Sequence, residues 1–253
     1  MIVDFEVRRR VAIIRLNRPE ARNAVSFELA EALEAAIDRL EDDDDLWTGI
    51  LCAAGPAFSA GADLKAIAAG NPNLATTRGG FGGLVTRERT KPLIAAVEGP
   101  ALAGGTELVL ACDMVVASTN ARFGLPEVKR SLLASAGGLV RLPRILPRNL
   151  AMEMALTGDP LSAEMAYQHG LVNQLVDPGN AVEAACELAE RVNANAPLAV
   201  RSTRRAILNT QLLDDLAGIQ LTVEETRLIA DTADFKEGPR AFIEKRPPQW
   251  KGR

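Results

Sequence analysis

The sequence predicts an α/β protein whose C-terminal part is helical. Strand, loop and helix patterns alternate up to about residue 185, and beyond it amphipathic helices follow one another with no strand between them. With 47% hydrophobic and 25% charged residues in a 253-residue chain, there is apolar material for one large core.

Residues 2–7 and 11–16 read as a hairpin around Arg8-Arg9-Arg10, a charged and solvated turn. Ser26 opens a helix with Leu29, Leu33, Ala36, Ile37 and Leu40 on one face, ending in the acidic run Glu41-Asp42-Asp43-Asp44-Asp45, an exposed turn. Strands are expected over 47–53, 93–97 and 114–117, and helices over 62–69 and 106–111. Residues 70–83, rich in Gly, Asn and Thr, have no periodicity and predict a mobile surface loop; Gly79-Gly80-Phe81-Gly82-Gly83 lacks the spacing of a dinucleotide fingerprint. Residues 186–195, 198–208 and 213–230 read as helices, so the expected division is a core over 1–195 and a helical region over 196–253.

Several function classes are excluded early. A net charge of −4 gives no general attraction to nucleic acid. The longest uncharged stretch, 46–62, is broken by three glycines and a proline and cannot be a bilayer span. No basic segment followed by an apolar run opens the chain, so a cytoplasmic protein is expected. Cys52, Cys112 and Cys186 lack metal-ligand or disulfide spacing, and a single histidine, His169, leaves no multi-histidine metal site or His-based triad. Acid–base chemistry must then come from carboxylates, Lys, Tyr167 or Cys.

Three segments join small-residue turns to helix starts and acids. Phe58-Ser59-Ala60-Gly61-Ala62-Asp63-Leu64 and Gly99-Pro100-Ala101-Leu102-Ala103-Gly104-Gly105-Thr106-Glu107 each follow a predicted strand, and unpaired N–H groups at such junctions suit an oxyanion or a phosphate. Phe123-Gly124-Leu125-Pro126-Glu127 presents a second glutamate at a turn. Taken singly, each glutamate also reads as an ordinary complement to a helix dipole.

Together these segments, with Leu16-Asn17-Arg18-Pro19-Glu20-Ala21-Arg22-Asn23-Ala24, Gly137-Gly138 and the terminal Phe242-Ile243-Glu244-Lys245-Arg246, resemble the enoyl-CoA hydratase (crotonase) superfamily over nearly the whole chain. The resemblance implies a crotonase-like spiral of repeated ββα units, with residues 196–253 building a homotrimer or a dimer of trimers. It implies an acyl-CoA thioester substrate, no metal and no cofactor beyond the CoA of the substrate, and an oxyanion hole from the N–H groups of Ala60 and Gly104. Arg22, Ala24, Gly61, Ala62, Asp63 and Leu64 would line the CoA moiety, while Phe242 and Lys245 reach a neighbouring subunit's CoA. Glu107 and Glu127 match the two acids of the hydratases, which favours reversible syn hydration of a trans-2-enoyl-CoA. Dehydration of carnitinyl-CoA type, double-bond isomerisation and a weakly active acyl-CoA-binding role are the alternatives.

Overall fold

The computed structural model describes residues 1–70 and 73–253. β1 (Val3–Arg8) and β2 (Val11–Leu16) form the expected antiparallel hairpin, Val3 opposite Leu16. Its arginine turn is exposed, as the charge suggests, and the Arg10 guanidinium stacks 3.7 Å from the centroid of the Trp47 ring. α1 (Phe27–Asp42) starts at Ser26, whose hydroxyl accepts from the Leu29 N–H, and it buries the apolar stripe read from the sequence. The acidic run beyond it is partly engaged: Glu41 accepts from the Thr90 and Lys91 N–H groups. The fully buried Lys91 ammonium donates to the Leu40 and Asp43 carbonyls at the helix C-terminus.

β3 (Thr48–Ala53), α2 (Leu64–Ala68), the short pair β4 (Ala75–Thr76) and β5 (Gly80–Phe81), β6 (Leu93–Val97), β7 (Ala101–Leu102) and α3 (Gly104–Leu110) follow. Then come β8 (Met114–Ser118), β9 (Arg122–Gly124), a 3-10 turn over Pro126–Arg130, α4 (Gly138–Ile145), α5 (Arg148–Thr157), β10 (Leu161–Ser162), α6 (Ala163–Gln168) and β11 (Gln174–Val176). Four helices close the chain: α7 (Ala181–Asn193), α8 (Pro197–Thr210), α9 (Asp215–Ile229) and α10 (Ala233–Ile243).

The main sheet has six strands in the order β1-β2-β3-β6-β8-β11, parallel from β2 onward. A smaller sheet, β10-β9-β7, is extended by a bridge from Ala101 to Ser59. Each of β3, β6 and β8 therefore leads into a short extended segment at Ser59, β7 or β9, and then into a helix or helical turn. This is the spiral of ββα repeats that the resemblance implies. The central strands are covered on both faces, which is why they read as apolar runs. Ala12, Ile14, Leu16, Leu51, Ala95 and Val97 share one core cluster with the buried faces of α1 and α3, whereas Val11, Ile13, Ile50, Cys52, Ile94 and Ala96 share another with Ala181, Ala185, Leu188 and Ala189 of α7. No helix among the described residues is long and apolar enough to cross a membrane.

Two expectations change. The predicted loop over 70–83 includes residues 71 and 72, which lie outside the described residues, but its remainder is built: β4 pairs with β5, Leu74 is buried, and Gly83 packs so closely on the Ala30 carbonyl that a Cβ would come within 2.1 Å of it. Glycine there serves packing rather than mobility. The helix expected over 62–69 begins only at Leu64, because Asp63 caps it, accepting from the Lys65 and Ala66 N–H groups.

A buried ionic cluster docks α8 on the core. Asp113 accepts from Arg89, from the Arg204 Nε on both of its carboxylate oxygens, and from the Leu93 N–H; Arg204 also reaches the Arg89 carbonyl. Burial works against the Asp113 charge, yet the two guanidinium groups hold its carboxyl below the usual range. Asp113→Ala leaves two cations without their partner, and a loss of about 3–5 kcal/mol in urea unfolding is expected.

Candidate active site

Two backbone turns cross at the centre of the site. Asn23 is wholly buried, and its side chain donates to the Ala54 and Ala57 carbonyls while accepting from the Arg18 N–H. Ser59 donates to the Asn23 carbonyl and accepts from the Gly61 N–H, so the first turn, 59–63, is held from behind. The second turn enters α3 through Ala103, which has φ 52° and ψ −129°, donates to the Gly124 carbonyl and is stapled by Thr106, whose hydroxyl lies between the Ala101 and Gly124 carbonyls. The turns touch at Gly61 and Gly104: a Cβ on Gly61 would lie 2.8 Å from the Gly104 nitrogen, and one on Gly105 would lie 2.3 Å from the Ser59 carbonyl oxygen. Glycine is required at this crossing.

The crossing corrects one expected donor. The Ala60 N–H donates to the Arg22 carbonyl at 3.0 Å and is not available to a ligand. Gly61 is also engaged, whereas neither the Ala62 nor the Gly104 N–H has a hydrogen-bond partner among the described residues. Both Ala62 and Gly104 line one cleft of about 870 Å³. Two adjacent unpaired N–H groups, one at a helix N-terminus, can bind a developing oxyanion.

Glu107 and Glu127 enter the same cleft from different elements. Glu107, on the first turn of α3, is 3% exposed, and one oxygen accepts from the Gly138 N–H at 2.9 Å. Burial pushes its carboxyl up to about 7, with the charge of Glu127 adding to the shift and the N–H groups of Gly138 and Ala136 opposing it. Glu127, in the 3-10 turn after β9, is half-buried, and burial raises its pKa as well. Its Oε2 is buried without a hydrogen-bond partner. Such an oxygen, beside a second carboxyl in a cleft, fits a water or a reacting proton.

Most other expected residues also line the cleft: Arg22, Ala24, Ala60, Asp63 and Leu64 do. Asp63 is nevertheless scaffold, since one oxygen caps α2 and the other receives Arg18 at 2.6 Å. Gly61 is not among the lining residues. Phe242, 86% exposed at the end of α10, and Lys245 are not among the lining residues of their own chain's cleft. Sequence reasoning missed Phe81, whose ring lies over Gly104, and Arg130, in the cleft wall three residues beyond Glu127. It also missed the supporting roles of Asn23 and Gly138. Asn23 stands within a recognised motif, so its position was the available signal, whereas Phe81 lies in a segment without periodicity.

Comparison with known proteins identifies the family. Residues 6–253 match the family model for enoyl-CoA hydratase/isomerase. The chain is 41% identical to an enoyl-CoA hydratase of Mycobacterium tuberculosis, over 98% of this chain and 96% of that protein. It is 39% identical to a carnitinyl-CoA dehydratase of Salmonella typhi, over 95% and 94% of the two. A crystal structure of an enoyl-CoA hydratase from Mycobacterium tuberculosis superposes with a TM-score of 0.96 at 47% identity, covering 100% of this chain and 99% of that one.

The raised Glu107 pKa has a consequence for stability. A carboxyl that titrates higher in the folded protein than in the unfolded chain contributes stability fully present below about 4.5 and lost as pH rises through about 7. A shift of that size corresponds to about 3 kcal/mol. Glu107→Gln keeps the acceptor for Gly138 and removes the buried charge, so it should resist urea better than wild type at about pH 8, with the difference closing toward about pH 5.

Proposed function

The chain belongs to the enoyl-CoA hydratase/isomerase family, and from that premise we propose that it catalyses reversible syn hydration of a trans-2-enoyl-CoA to a 3-hydroxyacyl-CoA. The observation that carries the reading is the pairing, in one cleft, of two free N–H groups with two carboxyls whose pKa values are both raised. The thioester oxygen accepts from Ala62 and Gly104, which draws electron density from the third acyl carbon and stabilises the enolate-like charge. Glu107, its pKa raised to about 7 by burial, takes a proton from a water held between the carboxyls. The water oxygen bonds to the third carbon, the double-bond electrons move toward the thioester oxygen, and Glu127 delivers its proton to the second carbon. Proton return from Glu107 to Glu127 resets the pair, and reversal of every step is dehydration.

Dehydration of a polar 3-hydroxyacyl-CoA uses the same groups and is the second reading, supported by the dehydratase relative. Isomerisation alone would need one carboxyl, and would leave the partnerless Glu127 oxygen without employment. The reading requires no metal and no cofactor beyond the CoA in the substrate, and it fits the expected cytoplasmic setting. Exposed Ile207, Leu216, Ile219, Leu228, Phe242 and Ile243 support a trimer or a dimer of trimers, in which Phe242 and Lys245 would reach the CoA of an adjacent subunit. Arg22 and Lys65, in the cleft wall, offer further positive charge to the CoA phosphates.

The test is loss of the conjugated-thioester absorbance over a panel of trans-2-enoyl-CoAs. Glu107→Gln and Glu127→Gln should each lower kcat ~10²–10⁴-fold while a saturated acyl-CoA still binds. The double variant should lose much less than the product, because the two carboxyls act on one water. Normal hydration by either single variant would remove the two-carboxylate mechanism.

A further inference from the structure

We propose that Arg141 is a positioning residue for this reaction: it clamps the turn that holds Glu107 to the segment that carries Phe81, so that the carboxyl and the N–H pair keep one geometry. The proposal rests on the hydratase reading above. Arg141 lies in α4 and is not among the residues lining the cleft. One arm of its guanidinium lies along Gly137, where a Cβ would come within 2.3 Å of Nη1. The next residue, Gly138, supplies the N–H that holds Glu107. The other arm, Nη2, donates to the Val85 carbonyl at 2.5 Å.

That contact leads to the second half of the site. The Val85 N–H returns to the Phe81 carbonyl at 3.4 Å, closing a turn, and a Cβ on Gly104 would meet the Phe81 ring at 2.3 Å. One side chain thus joins the Glu107 support to the segment whose Phe81 ring packs on Gly104. Among charged and titratable groups, Arg89, Arg144, Cys112 and Glu107 face Arg141, and Glu127 and Arg141 face Glu107. Arg89 and Arg144 repel the guanidinium, so Glu107 is the carboxyl that faces it with an attractive sign. Its positive charge accordingly opposes the upward shift of Glu107.

The experiment compares wild type, Arg141→Met and Arg141→Lys by the kcat and KM of enoyl-CoA hydration from about pH 5 to about pH 9, together with amide hydrogen exchange over residues 81–87. Arg141→Met should lower kcat by about 10²-fold through misplacement, with KM nearly unchanged. The acid limb of its profile should move to higher pH, and exchange over 81–87 should quicken. Arg141→Lys should bring the acid limb back, because the charge returns, while exchange stays fast, because the two-armed hold does not. An unmoved acid limb in Arg141→Met, whether or not thermal stability falls, overturns the proposal in favour of packing alone. If Arg141→Met does not fold, wild-type exchange over 81–87 in Arg141→Lys overturns it. Absence of hydration by the wild type over the whole substrate panel counts against the hydratase reading, and hydrogen exchange then decides on the clamp by itself.

Discussion

The close approach of two backbone turns at Gly61 and Gly104 is the constraint on which the rest of the site depends. Where the two turns come within contact distance, there is no room for Cβ atoms, and the glycines at 61 and 105 follow from that, while the Phe81 ring leaves no room for one on Gly104. The turns can meet because β3 and β6 are adjacent parallel strands, so that the segments leaving their carboxyl ends emerge side by side. Glu127 arrives by the same route from β8, the next strand in the sheet. Ligand sites outside the carboxyl ends of parallel strands are a general result of this architecture, since crossover connections gather loops and helix N-termini there. The second layer of short strands then fixes each loop to its neighbour, Ser59 to Ala101 and Leu102 to Gly124.

Burial alone does not distinguish a reactive carboxyl from a structural one; compensation does. Asp63 and Asp113 are deeply placed, yet each meets guanidinium and N–H donors that hold its pKa below the ordinary value. Glu107 receives one close N–H for its burial, and Glu127 leaves one oxygen with none, so both shift upward. An acid that must exchange protons near neutrality needs this incomplete solvation. The same deficit makes the site a cost to folding, which the densely satisfied scaffold around Asn23 and Asp113 offsets elsewhere in the molecule.

Where pattern and covalent geometry decide the outcome, the sequence was legible. The hairpin, α1 with its Ser26 cap, and the three central strands follow from periodicity and capping chemistry, and the glycine-rich turns pointed to the cleft. The first N–H donor was not legible, because choosing between Ala60 and Ala62 requires knowing which amide the Arg22 carbonyl already occupies, a contact across 38 residues of chain. The segment 73–83 looked loop-like for a related reason. Its glycines satisfy close packing against Ala30, Glu34 and Leu108, a tertiary demand that leaves no periodic trace. α4 begins at a glycine with positive φ just before it and holds Pro143 inside, so its local signals argue against the helix that packing on α3 and α5 sustains.

Ala103 shows how the scaffold and the chemistry are joined. An alanine at φ 52° and ψ −129° occupies a backbone region that favours glycine, at a cost of order 1–3 kcal/mol. Relaxing that conformation would rotate the following peptide, and with it the Gly104 N–H, away from the cleft that Gly104 shares with Ala62. The strain persists because neighbours over-determine it: the Ala103 N–H is held by the Gly124 carbonyl, and the Thr106 hydroxyl accepts from the Gly124 N–H while bonding back to the turn. β9 therefore does two things with one set of hydrogen bonds. It keeps a strained turn aimed at the cleft, and through Leu125 and Pro126 it carries Glu127 to the same place. The donor pair and the second acid are consequently not independent features of the cleft; a change that loosens Thr106 from Gly124 disturbs both.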